Sequence, residues 1–196
     1  MSKGEDTRSV VLGAALSLAS EVGLEGVSIA KLAQRVGLSK SGLFAHFSSK
    51  ENLQVQLLTE AASRFVHLVV APGLREKRGE PRVRALFDHW LRWAKADFMP
   101  GGCIFVAAAV ELDDRPGPAR DLLVSSQKDW LETLAGAARI AITEGHFRRD
   151  LDVHQFAHEE YSLAFGHHFI SRLIQEPKAE ARTRAAFERL IRSARP

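Results

Sequence analysis

This 196-residue chain has little that serves cross-links, sheets or membranes. It contains one cysteine, so no internal disulfide can form. It has one tyrosine and two methionines, and its aromatics are mostly its eleven phenylalanines, which suits an apolar interior. Seven prolines and few glycine-rich stretches leave room for long helices. No run of 18 apolar residues occurs, so no transmembrane helix is expected. The N-terminus MSKGEDTRSVV carries Glu5 and Asp6 and lacks the apolar core of a signal peptide. These features together predict a cytoplasmic protein that does not engage a membrane. The net charge is only +3, and the first fifty residues hold Lys3, Arg8, Lys31, Arg35, Lys40 and Lys50 against Glu5, Asp6, Glu21 and Glu25. That surplus is no basic arm, so affinity for nucleic acid would have to come from placed contacts and dimerisation. No glycine-rich phosphate loop and no nucleophile motif is present, and no catalytic residue, metal or cofactor is expected.

Helix signals are dense between Val27 and Leu53, VSIAKLAQRVGLSKSGLFAHFSSKENL. Ser28, Ser39 and Ser48 each fall where an N-cap accepts hydrogen bonds from otherwise unpartnered backbone N–H groups. Val27 with Leu32, and Leu38 with Leu43, fit hydrophobic staples, and Ser48 with Glu51 fits a capping box. Gly37 suits the left-handed residue that ends the first of these helices. The spacing predicts a short helix, the turn Gly37-Leu38-Ser39, and a second short helix from Lys40 to about Phe47. So tight a turn holds a second helix out for the DNA major groove.

The stretch resembles the DNA-binding domain of the TetR family of transcriptional regulators. The matching residues are Ile29-Ala30, Leu32-Ala33, Val36-Gly37-Leu38-Ser39, Leu43 to Phe47, and Ser49-Lys50-Glu51-Asn52-Leu53. They span about a quarter of the chain. One departure is Phe44, where the family usually carries a tyrosine that often contacts phosphate; Phe44 can offer only packing or apolar contact. Gly42 weakens a short helix by up to about 1 kcal/mol relative to alanine, and also permits close approach to DNA. DNA-facing residues are expected to be Ser28, Ser39, Lys40, Ser41, Gly42, Phe44, His46 and Lys50, with His46 equally suited to packing. Lys50 stands in a first helical turn, where a cation opposes the helix dipole. A phosphate docked at that N-terminus would explain it.

The remaining sequence reads as helix. Helix one is predicted from about Thr7 to Val22, ended by Gly23, and the helix from near Ser49 is expected to run toward Val70, broken by Pro72-Gly73. In the resembled family this long helix links the DNA-binding domain to a larger helical domain. Helices are predicted over Arg82–Asp97, Ala119–Gly145, Leu151–Gln175 and Ala179–Ser193. Cys103–Leu112 has the alanines of a helix and a length that also suits a strand. Gly101–Asp121 looks like a recurring subtype of TetR C-terminal domain. The expected organisation is all-α: a three-helix helix-turn-helix head over 1–50, a linking helix over about 49–70, and a ligand-binding and dimerisation domain over 51–196.

Cys103 has no neighbouring Lys, Arg or His in sequence to activate it and reads as a small buried residue. His154 and His158 are one turn apart, as metal ligands can be, but only Glu159 and Glu160 accompany them, which favours a polar lining over a metal site. Aromatic residues are abundant in the second domain, and such rings leave concave space when they interdigitate incompletely. A pocket for a small apolar effector is therefore expected among Phe87, Trp90, Cys103, Phe105, Trp130, Phe165 and His168. Leu163, His167, Ile170 and Ile174, with Phe187, Leu190 and Ile191, recur at helical spacing and are expected to dimerise, as the last two helices do in TetR-like proteins. The resulting reading is a homodimeric repressor released from a palindromic double-stranded operator by that effector. The alternatives are a helix-turn-helix regulator without an effector, and a helical enzyme reusing the fold.

Overall fold

The computed structural model describes the backbone of residues 3–196 and the side chains of residues 8–43 and 47–196. Among the described residues the regular structure is helical and no strand occurs. The chain forms two compact units.

The first unit runs up to Arg64 and takes in Lys95–Ser125. It contains α1 (Lys3–Gly26), α2 (Ile29–Val36), α3 (Lys40–His46), most of α4 (Lys50–Phe65), α7 (Ile104–Leu112) and the start of α8 (Pro118–Thr143). Val11, Ala15, Leu16, Ala19 and Leu24 of α1 meet the apolar residues of the short helices in one core, with Leu32, Leu43, Phe47, Leu53 and Leu57 almost fully buried. By length and composition, 8–26 within α1 is apolar enough to cross a membrane, yet 44% of that window is buried as core. Gly23 breaks α1 where the sequence predicts its end: its φ of 74° and ψ of 169° are not helical.

Residues 95–125 belong with the head, which redraws the expected boundary near residue 50. The cause is close packing of α7 on α1. Gly101 donates its N–H to Ser20 Oγ at 3.0 Å, and Glu111 Oε2 accepts the N–H of Glu25 at 3.0 Å. Cys103–Leu112 is helical from Ile104 onward, which removes the strand alternative.

The second unit holds Phe65–Ala94 and Ser126–Pro196. After α4 comes a π-helical turn, Val66–Val70, then α5 (Ala71–Arg75) and α6 (Glu80–Trp93). The helical path continues past Pro72 because that proline occupies the first turn of α5, where a missing N–H costs little. α9 (Val153–Arg172) starts at Asp152, whose side chain accepts the N–H groups of His154 and Gln155, both at 3.0 Å. A short turn leads into α10 (Ala179–Ala194), which packs on α9. Phe87 of α6 stacks on Phe187 of α10 with ring centroids 3.8 Å apart, and Phe65 meets Trp93 and Trp130 edge-on at 5.2 and 4.9 Å. At the rim Arg84 joins Glu80 to Glu188, Arg195 pairs with Glu80, and Arg184 with Asp88. Such exposed pairs are individually weak and act here mainly as register marks between α6 and α10.

Candidate nucleic-acid interface

The head is assembled by capping. Ser28 is extended, and its Oγ accepts the N–H of Lys31 at 3.2 Å. Val27 and Leu32 are both buried, as a staple across that cap requires. Gly37 takes the left-handed conformation, φ 68°, and the N–H groups of Gly37 and Leu38 both reach the carbonyl of Ala33. Ser39 Oγ then accepts the N–H of Gly42 at 3.1 Å and lies 3.2 Å from Ser41 Oγ. Leu43 is buried, whereas Leu38 is 39% exposed, so the second expected staple does not close. The next cap also differs from expectation. Ser49, not Ser48, accepts the N–H of Asn52 at 3.0 Å, because α4 starts at Lys50 and only Ser49 stands three residues before the amide it caps.

This framework fixes what the short helix α3 presents. Ser39, Lys40, Ser41 and Gly42 are exposed at its N-terminus, and Ser28 is half-buried. Lys40 has no ion-pair partner among the described residues. The side chains of Phe44 and His46 lie outside the described residues. α2 is braced by Arg35, whose Nη2 donates to Ser17 Oγ at 3.1 Å and to Glu21 Oε1 at 3.2 Å.

The structure assigns Lys50 a partner inside the protein that sequence reasoning missed. Its Nζ donates to the Glu25 carboxylate at 2.8 Å and to the Glu25 carbonyl at 2.9 Å. Gln54 and Arg115 also face that carboxylate, at 2.9 and 3.6 Å, and the hydrogen bond from Lys50 leads the interactions that hold Glu25 below the usual carboxylate range. The cation in the first turn of α4 thus has a protein counter-ion. No periodicity in the sequence marks Glu25, because it stands at the very end of α1, past the break at Gly23, and meets Lys50 only through the folding of the head.

The other expected site residues divide between the units. Cys103 and Phe105 are buried in the first; Phe87, Trp90, Trp130, Phe165 and His168 belong to the second. The rings are partnered: Phe87 stacks on Phe187, Trp90 meets His167 edge-on at 5.7 Å, Trp130 meets Phe65, and Phe165 lies 5.2 Å from Tyr161. Burial holds the half-buried His168 below the usual imidazole range. Of the residues expected to dimerise, His167, Phe187, Leu190 and Ile191 are turned into the core of their own unit. His167 Nδ1 lies 3.1 Å from Thr183 Oγ1. Ile170 and Ile174 are exposed, Leu163 is half-buried, and Phe169 and Leu173 join the outward face without having been expected there.

A short capped helix, a tight turn and a second helix presenting small polar groups and a lysine define a helix-turn-helix DNA-binding regulator. The chain belongs to the TetR family: residues 11–57 match the family model for bacterial regulatory proteins of the tetR family, and 79–187 match that for the tetracyclin repressor-like C-terminal domain. The family consists of transcriptional regulators, not enzymes. The HTH-type transcriptional repressor AcnR of Corynebacterium diphtheriae is 39% identical over 84 residues, which cover 43% of this chain and 44% of that protein. The chain thus spans less than half the length of this curated relative. A TetR transcriptional regulator from Chloroflexus aurantiacus superposes with a TM-score of 0.84 at 25% identity, covering 97% of this chain and 95% of the other. AibR, solved with isovaleryl coenzyme A and operator DNA, shares the fold with a TM-score of 0.69 at 21% identity over 83% of this chain and 84% of its own.

Proposed function

We propose that the protein is a cytoplasmic, homodimeric repressor whose grip on a palindromic operator is loosened by a small molecule bound in the second unit. The exposed Lys40–Gly42 edge of α3, held out by the Ser28, Gly37 and Ser39 caps, carries the DNA-binding part of this reading. Lys40 and Ser41 suit base edges, while Ser28, Ser39 and Lys50 suit phosphate. Selection of bound duplexes from a random pool should return palindromes whose preference shifts with Lys40→Ala. Lys50→Ala should weaken all sequences alike and lower the salt slope by about one. Because Lys50 pairs with Glu25, Glu25→Gln separates two roles. If the ammonium serves phosphate, Glu25→Gln keeps or raises affinity. If the pair is only a brace, Glu25→Gln weakens binding as Lys50→Ala does, and the phosphate role is lost.

Dimerisation is supported by the apolar end of α9 and the residues just past it, where Phe169, Ile170, Leu173 and Ile174 are all at least 40% exposed. Alongside runs a groove of about 570 Å³ between α9 and α10, lined by His158, Leu163, Ala186 and Arg189 among others. An apolar stripe of that kind suits a partner helix pair. Ile170→Asp and Leu173→Asp alter exposed positions, so each protomer should still fold while sedimentation shows monomer. An unchanged dimer in both variants would remove this face from consideration.

Release by ligand needs two arrangements of the heads with different operator affinity. Two recognition helices must reach successive major grooves about 34–36 Å apart, and a ligand favouring another separation lowers affinity by linkage. The π-helical turn Val66–Val70 directly follows the boundary between units at Arg64 and Phe65, where such widened turns often serve function. That AibR was solved with both isovaleryl coenzyme A and operator DNA favours this reading over an effector-free regulator.

A further inference from the structure

Five polar side chains are buried among the described residues: Ser20, Gln54, Glu160, His167 and Thr183. Four of them have partners. Ser20 Oγ donates to the carbonyl of Ser17 and accepts from Gly101, Gln54 donates to Glu25, and His167 and Thr183 bond each other. Glu160 differs. It is 4% exposed, and its Oε2 has no hydrogen-bond partner. A buried carboxyl is the costliest of these groups to leave unmatched, and leucine, methionine or glutamine would fit an α-helix here at least as well. Glu160 lies on the inner face of α9, one turn from Phe156 and two turns, roughly 10 Å, from His167. The same unit's interior carries Trp90 against His167, Phe87 on Phe187, and Phe147 against Phe156.

We propose that Glu160 is the polar anchor of an effector site inside the second unit, and that the effector is an organic amine on an apolar, ring-sized body. This deepens and rests on the effector reading above. A carboxyl without a protein donor calls for a ligand that brings N–H donors, and an ammonium brings both donors and charge. An aromatic ring favours the same cation, and Phe156 stands one turn from Glu160 on α9. Among the described residues no cation acts on Glu160, whose environment is set by burial alone, so an anion would find no counter-charge beside it. Arg84, Arg184 and Arg195 are paired with Glu80, Glu188 and Asp88 at the rim. His167, the other buried titratable group on this face of α9, is engaged by Thr183.

The chemistry predicts a proton count. Burial alone pushes the Glu160 carboxyl up to about 8, so the free protein holds it neutral near pH 7. When an ammonium docks, the carboxyl ionises and its proton passes to the buffer, leaving a neutral ion pair in the site. Three probes sharing one ring system test this: 1-naphthylmethylamine, 1-naphthylmethanol and 1-naphthylacetate. Titration calorimetry at pH 7 in two buffers of different ionisation heat should show the amine binding most tightly, with release of about one proton. Glu160→Gln keeps the shape, and its melting curve reports folding. In this variant amine affinity should fall by about tenfold or more, and proton release should vanish. Equal binding of amine and alcohol, amine binding without proton release, or amine binding that survives Glu160→Gln would overturn the proposal, as would no amine binding at millimolar concentration. Operator release, followed with the same probes, separates the two readings. Amine that binds through Glu160 without releasing DNA leaves the site standing and sinks the effector reading. Alcohol that releases DNA from wild type and Glu160→Gln alike does the reverse.

Discussion

Glu160→Gln is expected to become more stable relative to wild type as pH rises, by roughly 3 kcal/mol at pH 7 over the difference at pH 4. The folded carboxyl, buried and without a donor, titrates at about 8 instead of its ordinary 4.5. The folded state therefore binds the proton more tightly than the unfolded chain. Its contribution is fully present below pH 4.5 and is lost progressively up to pH 8, at about 1.4 kcal/mol per unit. Above pH 8 the whole span, about 5 kcal/mol as an upper figure, is gone. Glutamine cannot ionise, so the variant escapes this slope. For a chain of this size the difference at pH 7 corresponds to roughly 6–12 °C in melting temperature. Thermal melts of both proteins from pH 4 to 9 test it. Parallel curves would mean that the carboxyl is solvated or partnered in solution.

Gly101→Ala should be the most damaging small substitution in the first unit. A Cβ at Gly101 would lie 1.6 Å from the carbonyl oxygen of Ser20, 2.0 Å from its carbon and 2.5 Å from the nitrogen of Glu21. All three are backbone atoms of α1, so no side chain can rotate away. The loop before α7 or the end of α1 must move, and the Gly101 N–H to Ser20 Oγ bond goes with it. Overpacking of this kind costs about 1–3 kcal/mol, and loss of the part-buried hydrogen bond adds up to roughly 1 more. Gly136 of α8 supplies the control. Its Cβ would meet nothing nearer than 4.0 Å, so Gly136→Ala should stabilise by about 0.5–1 kcal/mol through helix propensity alone. Urea midpoints of the two variants should move in opposite directions, and a neutral Gly101→Ala would show that α7 does not rest on α1 in solution.

The head was the most legible part of the chain. Its signals are local: Ser28, Gly37 and Ser39 bond backbone groups three or four residues away, so position in sequence nearly settles position in space. Even there a shift of one residue, from Ser48 to Ser49, moved a cap, since neighbouring serines offer the same chemistry and only the start of α4 chooses between them. Long-range pairings were not legible. Glu25 and Lys50 are 25 residues apart, Glu25 and Glu111 are 86 apart, and no helical period connects them.

Faces of long helices show the same limit. The repeat Leu163, His167, Ile170, Ile174 marked an apolar face of α9, but periodicity cannot say which of its residues meet their own unit and which are left for a partner. Packing turned His167 and Phe187 inward and left Ile170, Leu173 and Ile174 in solvent. The aromatic content of the second unit likewise could not say which rings meet: Phe87 stacks on Phe187, and Phe65 lies edge-on to Trp93 and Trp130. What the amino-acid order determined by itself is the all-helical class, the helix-turn-helix and its caps, because these rest on interactions within one or two turns. Tertiary structure alone decided that residues 95–125 pack with the head, that Lys50 answers Glu25, and that Glu160 is buried without a partner. Each of those depends on which segments, distant in the chain, come to exclude water from one another.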